Sequence, residues 1–272
     1  MTGTAEIRPG PLLKWAGGKA QLLSTFHKYF PKSFNRYFEP FLGGGAVFFH
    51  LMPERATLSD LNQELINCYQ VVRDDVDRLI ELLKRHTNDK AHYYRVRAWN
   101  SHQLTPVEQA ARLIFLNKTC FNGLYRVNSL GQFNVPFGRY KNPKICDEQN
   151  LRAVSRALSS VDLKSSRFED VLRQARRGDF VYLDPPYQPI SPTSNFTGYT
   201  KDAFDFADQE RLCKTAQALN RRGCLLMLSN SDNEFIRELY EDFNIVTVQA
   251  NRAINCRADR RGRISELLIM NY

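Results

Sequence analysis

The sequence predicts an α/β fold, a mostly parallel sheet with an inserted, mostly helical segment. An apolar stretch at 36–41 enters a glycine-rich turn and then a helix, the strand–turn–helix order of parallel sheets. A second apolar stretch, at 180–183, is rich in β-branched and aromatic residues, as buried parallel strands are. Residues 88–145 are instead strongly basic. We therefore place an α/β domain at 1–61 and 146–272 and an inserted domain at 62–145.

We expect a loose arm at 1–11, followed by the first structured stretch. A glycine pair before Lys19 resembles a phosphate-binding loop, but Leu13 and Ala20 occupy positions that need glycine and a hydroxyl residue. We predict a tight glycine turn and then a helix over 19–29, whose amino terminus and lysine would attract a carboxylate. Trp15, just before the turn, is either a ligand contact or an ordinary core residue.

The next stretch contains the glycine turn, with Gly43 and Gly45, where the backbone could approach a ligand closely. Phe48 stands where a dinucleotide-binding loop has its third glycine, so no pyrophosphate is expected here. A second strand, at 56–59, is followed by Asp60, 15 residues after Gly45. This carboxylate could bind ribose hydroxyls or cap the helix that follows, and both roles are compatible.

The remaining elements follow from hydrophobic periodicity and turn residues. Helices are predicted at 62–72, 76–86, 106–117, 148–158, 206–221 and 234–240, and strands at 163–167, 180–183, 224–228, 244–249 and 266–271. The last two strands would form an antiparallel hairpin on the parallel sheet. A polar loop at 188–201 is long enough to act as a lid.

The chain is basic, with a formal net charge of +9. Residues 88–145 hold nine basic and two acidic residues, and 250–263 hold five and one. These two stretches carry more net positive charge than the whole chain, so the charge is localised. Aromatic and amide residues interleave with the charges at 121–126 and 132–140, in a pattern that suits base-edge contacts and base-step wedges. A nucleic-acid partner is therefore predicted.

The octet 180–187 is the centre of the predicted site. Two prolines stop strand pairing at Asp184 and leave a stiff loop at the carboxyl edge of the sheet, where ligands bind. Asp184 offers a carboxylate, Pro185 a carbonyl and Tyr187 an aromatic face. Two acceptors beside a flat ring suit a planar aromatic amine. The alternative is a plain proline-rich turn with an exposed aspartate.

Five motifs occur in a fixed order along the chain: Lys14 to Lys19, Glu39-Pro40-Phe41-x-Gly43-x-Gly45, Asn122-Gly123-Leu124-x-Arg126, Phe133 to Tyr140 and Asp184-Pro185-Pro186-Tyr187. This series closely resembles the Dam-type DNA adenine-N6 methyltransferases of the α group, particularly GATC modification methylases of type II restriction systems. The resemblance implies a Rossmann-like methyltransferase sheet with an inserted DNA-recognition domain. It also implies S-adenosylmethionine as cofactor and double-stranded DNA as partner.

The resemblance assigns roles to individual positions. The catalytic loop would be Asp184, Pro185, Pro186 and Tyr187. Residues around the cofactor would be Trp15, Lys19, Glu39, Phe41, Gly43, Gly45, Asp60, Phe168 and Asp184. Residues at the DNA would be Lys14, Phe121, Asn122, Leu124, Arg126, Pro136, Arg139 and Tyr140. Phe121 departs from the usual tyrosine, and either ring can stack between bases.

Three rival functions fit parts of the sequence. An N4-cytosine methyltransferase more often carries serine at position 184, and an rRNA adenine methylase usually carries asparagine there and lacks the insertion. A DNA-binding module without catalysis would show a damaged catalytic loop, whereas this loop is intact.

Composition limits the remaining possibilities. Six cysteines without a C-x-x-C pair predict reduced thiols in a cytoplasmic protein, without a metal site. No stretch approaches the ~18 apolar residues of a membrane span. We expect a monomer or weak dimer, with any cognate restriction endonuclease sharing the DNA site without forming a complex.

Overall fold

The structure is a computed structural model that describes residues 7–187, 204–251 and 263–272. Its strands are β1 Tyr37–Glu39, β2 Ala56–Asp60, β3 Asp162–Ser165, β4 Phe180–Leu183, β5 Leu225–Ser231, β6 Asn244–Asn251 and β7 Arg263–Met270. Its α-helices are α1 Leu23–Phe26, α2 Ala46–Leu51, α3 Gln63–Asp74, α4 Val76–Lys84, α5 Lys90–Arg97, α6 Pro106–Thr119, α7 Glu148–Leu158, α8 Val171–Gln174, α9 Phe206–Arg221 and α10 Glu234–Leu239.

The seven strands form one sheet in the order β3-β2-β1-β4-β5-β7-β6. Strand β1 pairs in parallel with β2 and β4, and β4 pairs in parallel with β5. Strand β7 is antiparallel to both β5 and β6, which confirms the predicted hairpin. The carboxyl ends of β1, β2, β4 and β5 therefore lie along one edge of the sheet, and the predicted α/β fold is confirmed.

The chain divides into two compact units. The first comprises Met1–Gly18, Gly43–Met52 and Asn62–Ser165, and the second comprises Lys19–Leu42, Pro53–Leu61 and Ser166–Tyr272. The domain boundaries expected from the sequence, 62–145 within 1–61 and 146–272, stay a prediction. In the second unit, α9 and α10 pack their apolar side chains on β4, β5 and β7. A second apolar cluster, in the first unit, joins α5 and α6 to the segment around Phe133 and Val135.

The predicted helix over 19–29 is wrong. Those residues form a 3₁₀ turn at Lys19–Gln21, the short helix α1 and a second 3₁₀ turn at His27–Tyr29. Helix α1 has no capping side chain at Leu22 and no acidic residue in its first turn, so nothing local stabilises a longer helix. The predicted glycine turn is present, because the Gly18 amide donates to the Trp15 carbonyl at 3.1 Å.

Two other expectations concern caps and loops. The residue that caps α3 is Asn62, whose side chain accepts from the Leu65 amide, so the cap is not Asp60. Helix α5 was not predicted; Asp89 caps it, and its apolar residues are few. The expected lid at 188–201 and most of the basic loop at 250–263 lie outside the described residues.

Within 7–187, 204–251 and 263–272, no helix is both long and apolar enough to cross a membrane.

Candidate functional site

Asp184 follows β4 directly, and its carboxylate is held from two sides. The buried Lys19 ammonium lies 2.8 Å from Oδ1, and the Ser229 hydroxyl donates to the same oxygen at 2.9 Å. Ser229 is in β5, next to β4, and its hydroxyl also contacts the Tyr182 hydroxyl at 3.0 Å. Because both contacts are made to Oδ1, Oδ2 accepts no hydrogen bond from a residue that the structure describes.

Tyr187 closes the loop, and its ring is fixed at both ends. Its hydroxyl donates to Oε2 of Glu266 at 2.8 Å, and the Lys19 ammonium lies 4.7 Å from the ring centroid. Burial and the nearby charges of Asp184 and Glu266 raise the pKa of Tyr187, so the phenol stays protonated. Burial also raises the pKa of Glu266. A neutral, anchored ring can present a face for stacking.

The proline segment is held by a buried amide pair. Gln209 of α9 donates to the Pro186 carbonyl at 3.3 Å, and Asn230 of β5 donates to Gln209 at 3.0 Å. Gln209 and Asn230 are both fully buried. Because two buried amides support its backbone, the segment Asp184–Tyr187 has a defined position relative to the sheet.

Four predicted cofactor residues lie at the carboxyl edge of the second unit. Glu39 ends β1 and accepts from the Tyr37 hydroxyl at 2.8 Å, and Asp60 ends β2. Phe41 and Phe168 stack on each other with centroids 5.4 Å apart. Adjacent parallel strands thus place two carboxylates and an aromatic pair at one edge, a set that fits the hydroxyls and base of an adenosine group.

Three predicted cofactor residues, Trp15, Gly43 and Gly45, belong to the first unit, whereas Lys19 and Asp184 belong to the second. Gly43 and Gly45 both have left-handed backbone conformations, with φ of 47° and 67°. A Cβ on Gly43 would come within 2.8 Å of the Trp15 ring, so a side chain there would collide with the indole. Trp15 is partly exposed, which is against the core-residue interpretation. The glycine turn and Trp15 therefore pack together.

The predicted DNA residues in the first unit cluster on two paired segments. Cys120 forms an isolated antiparallel β-bridge with Phe137, and Val127 forms another with Phe133. The Phe121 amide also donates to the Pro136 carbonyl at 2.8 Å. These bonds bring together the two motifs that were separate in sequence. The predicted residues on the paired segments are Phe121, Asn122, Leu124, Arg126, Pro136, Arg139 and Tyr140. Phe121 and Arg126 are exposed, so a ring and a guanidinium face solvent from this surface.

Two cations of this surface have defined orientations. The Arg126 guanidinium donates from Nε to the Asn134 side chain at 2.7 Å, which fixes the plane of the fork. The Lys14 ammonium lies 4.2 Å from the centroid of the Tyr140 ring. Arg139 and Asn122 both have positive φ, at 55° and 56°, so the backbone is strained where these side chains project.

Not every basic residue of 88–145 belongs to that surface. Arg112 is buried; it pairs with Glu64 at 3.3 Å and donates to the carbonyls of Val96 and Arg97. Burial lowers the pKa of Lys118. Arg112 therefore belongs to the interior of the first unit, and Lys118 is half-buried, so neither is simply a surface charge.

Several partners of the predicted residues were not expected from the sequence. The segment Asp184–Tyr187 is supported by Ser229, Gln209, Asn230 and Glu266, and Arg126 is supported by Asn134. One signal was available, since Ser229, Asn230 and Ser231 are polar residues at the carboxyl end of an otherwise apolar strand. Nothing local in the sequence marks Gln209 or Glu266. No cluster of three His, Cys, Asp or Glu side chains in the described residues is arranged to hold a metal ion.

A family model decides what this arrangement belongs to. The model is described as D12 class N6 adenine-specific DNA methyltransferase, and it matches residues 15–254. This chain belongs to that family. The match spans the glycine turn, the paired segments at 120–127 and 133–137 and the segment Asp184–Tyr187, and it favours adenine over the N4-cytosine and rRNA alternatives.

Several curated proteins are similar to this methyltransferase over nearly its whole length. The chain is 50% identical over 285 residues to Type II methyltransferase M.MjaIII of Methanocaldococcus jannaschii, and the alignment covers 96% of this chain and 99% of that protein. It is 45% identical over 275 residues to Type II methyltransferase M1.LlaDCHI of Lactococcus lactis subsp. cremoris, covering 98% and 97%. It is 35% identical over 269 residues to the DNA adenine methylase of Haemophilus influenzae, covering 97% and 94%.

Proposed function

We propose that this methyltransferase moves a methyl group from S-adenosylmethionine to N6 of an adenine flipped out of double-stranded DNA. The target would lie within GATC, as in a type II modification enzyme. Family membership supports the adenine amine as acceptor. The sequence resemblance to GATC methylases supports the target site, and the relatives described as type II methyltransferases support the modification role.

The orientation of Asp184 is the observation that carries this proposal. Lys19 and Ser229 hold Oδ1, so the carboxylate plane is fixed, and no described residue donates to Oδ2, which we propose accepts from the amine. The neighbouring Pro185 carbonyl likewise accepts no hydrogen bond from a described residue. Two acceptors can bind both N–H groups of an exocyclic amine and pull its nitrogen toward tetrahedral geometry, which localises the lone pair.

The residues at the sheet edge fit the proposed cofactor. Asp60 would hold ribose hydroxyls, and Phe41 and Phe168 would contact the adenine ring, with Glu39, Lys19 and Asp184 around them. When bound, S-adenosylmethionine would supply an electrophilic sulfonium methyl group. The role of the protein is then to hold the acceptor amine in line and exclude water, and such positioning accounts for much of an enzyme's rate. The predicted contribution of Trp15, Gly43 and Gly45 stays a prediction.

The paired segments of the first unit would bind the duplex. The exposed Phe121 ring suits a wedge between base steps, and the Arg126 fork suits the two acceptors of guanine. Flipping the target base costs a few kcal/mol, which wedging and phosphate contacts would offset. The proposed DNA surface also includes Lys14, Asn122, Leu124, Pro136, Arg139 and Tyr140. We further propose a cytoplasmic monomer or weak dimer that shares its DNA site with, but does not bind, any cognate nuclease.

The test is methyl transfer from labelled S-adenosylmethionine to a panel of duplexes that contain GATC or one substituted base pair. Wild-type protein should label only GATC duplexes, on adenine N6. Asp184→Ala should abolish transfer and leave DNA affinity within about twofold, because its carboxylate orients the amine and does not contact phosphate.

The matched control is Asp162→Ala, which removes an exposed carboxylate of β3 and should keep full activity. Labelling of all duplexes alike would contradict the GATC proposal. Substantial turnover by Asp184→Ala would contradict the catalytic assignment.

A further inference from the structure

One buried side chain links the segment Lys14–Trp15 to the loop 121–126, which carries the proposed DNA residues Phe121, Asn122, Leu124 and Arg126. Asn117 of α6 is fully buried; it accepts from the Lys14 amide at 2.8 Å and donates to the Lys14 carbonyl at 2.8 Å. The same Asn117 amide group donates to the Gly123 carbonyl at 3.0 Å. A Cβ on Gly123 would lie 2.3 Å from Cδ of Lys14, so the lysine side chain crosses the loop where only glycine fits.

Tyr125 makes the second connection. Its ring stacks on Trp15, with centroids 5.3 Å apart and planes at 26°. Its hydroxyl donates to Glu64 at 2.9 Å, and Glu64 pairs in turn with the buried Arg112. Tyr125 is therefore fixed at its hydroxyl and packed on its face, and it cannot rotate away from Trp15 without breaking a hydrogen bond to a charged group.

Tyr125 lies between two residues with different proposed tasks. Trp15 is a proposed cofactor contact and packs against Gly43 on its other side. Arg126, the next residue after Tyr125, is the proposed base reader. A shift of the indole on ligand binding would be transmitted through the stacked ring to the backbone that carries Arg126.

We propose that Tyr125 is a positioning residue that couples cofactor binding to sequence recognition, an inference that rests on the proposed function. Cofactor binding at Trp15 shifts the indole, and Tyr125, which is stacked on it, passes this shift to the backbone of Arg126 and so favours the orientation that reads the cognate base. Linkage makes the effect reciprocal, so cognate DNA strengthens cofactor binding by the same factor. A stacked aromatic pair contributes enough for a coupling factor of about two- to tenfold.

The experiment measures duplex dissociation constants by anisotropy, for GATC and singly substituted duplexes, with and without S-adenosylhomocysteine as an unreactive cofactor analogue. In wild-type protein the analogue should strengthen GATC binding more than binding to substituted duplexes. Tyr125→Leu should reduce this coupling factor toward one. Tyr125→Phe, which keeps the stack and loses the Glu64 bond, should retain most of it.

Two further variants separate coupling from general damage. Tyr94→Leu is the matched control, because that ring contacts Tyr93 and Arg97 and should leave the coupling factor unchanged. Trp15→Leu, measured with no analogue present, should lower the preference for GATC about twofold or more. The substitution removes the indole against which the Tyr125 ring is stacked. This second route remains informative if Tyr125→Leu does not fold.

The outcomes distinguish the two proposals. A folded Tyr125→Leu with the wild-type coupling factor overturns the coupling role, as does a Trp15→Leu variant with unchanged preference. If wild-type protein discriminates among duplexes but the analogue changes no dissociation constant, the coupling is wrong and the proposed function stands. If wild-type protein discriminates among none, the proposed function fails and the coupling fails with it.

Discussion

Among the described residues, Asp184 is held through one of its two carboxylate oxygens, and the proposed role of this residue depends on that arrangement. Lys19 and Ser229 bind Oδ1 within 3 Å. A carboxylate bound in this way keeps its plane while the other oxygen accepts a new donor. The proline pair pointed to Asp184 directly from the sequence. Its partners lie far away along the chain, so only the sheet topology could reveal them.

Arg126 provides the residue-scale prediction. Its exposed guanidinium is oriented by Asn134 at 2.7 Å and belongs to a loop with few other charges. Arg126→Ala should cost about 1–3 kcal/mol on a GATC duplex and relax discrimination at one base pair. Asn134→Ala should leave the charge in place and lose discrimination only, because the fork is no longer fixed. Binding to GATC and singly substituted duplexes measures both effects.

The control for this pair is Arg95→Ala, an exposed arginine of α5 outside the paired segments. It should leave discrimination among duplexes unchanged. If Arg126→Ala weakens every duplex by the same factor, the residue is a phosphate contact and its base-reading role is wrong.

At the scale of elements, periodicity predicted the amphipathic helices and the buried strands well. Helices α7 and α9 have the predicted bounds, because each has a capping aspartate and a clear apolar face. Short elements were harder. The segment 19–29 has two buried apolar residues four positions apart, Leu22 and Phe26, yet its local capping is too poor for one helix. Helix α5 has a cap but few apolar positions, so its sequence shows no helical periodicity of apolar residues.

The junction between α4 and α5 provides a pH prediction. His86 stacks on Phe115 at 4.4 Å and contacts His92 at 2.9 Å. Burial, then the neighbouring His92, lowers the pKa of His86 from 6.5 to about 4. The unfolded chain takes up this proton as pH falls below 6.5, whereas the folded chain resists it until about pH 4. Stability should therefore fall through this window, by about 1 kcal/mol between pH 7 and pH 5 after allowance for solvent screening.

Chemical denaturation at pH 7 and pH 5 measures this loss. His86→Phe keeps a ring against Phe115 and removes the ionisable group, so its loss over the same interval should be smaller than in wild-type protein. His102→Gln, a change at an exposed histidine, is the matched control and should lose stability as wild-type protein does. An identical pH dependence in His86→Phe would show that other groups cause the loss.

At the scale of the whole molecule, the positive charge has two different uses. The net charge of +9 is concentrated in two stretches, which the sequence alone indicated. A count of charged residues in the sequence cannot distinguish exposed charges from buried ones, and Arg112 is a buried partner of Glu64. Composition therefore predicts the kind of partner, while burial determines which charges can meet it. The motifs predicted the family because the residues of each motif are close together in the sequence and can be recognised without the fold.

The last prediction concerns the salt dependence of DNA binding. Each phosphate contact adds about 0.9 to the slope of log affinity against log salt concentration, because counterions are released. Arg260 lies in the basic stretch 250–263, outside the described residues, and by its sequence context we expect it to meet phosphate. Arg260→Ala should weaken GATC and unrelated duplexes alike and lower the slope by about one unit. Arg173→Ala removes the same charge from a highly exposed position outside both basic stretches, so it should leave the slope unchanged. Titrations at four or more salt concentrations measure both slopes. Equal slopes for wild-type protein and Arg260→Ala would show that Arg260 does not contact the phosphate backbone, and a loss confined to GATC duplexes would instead make it a base contact.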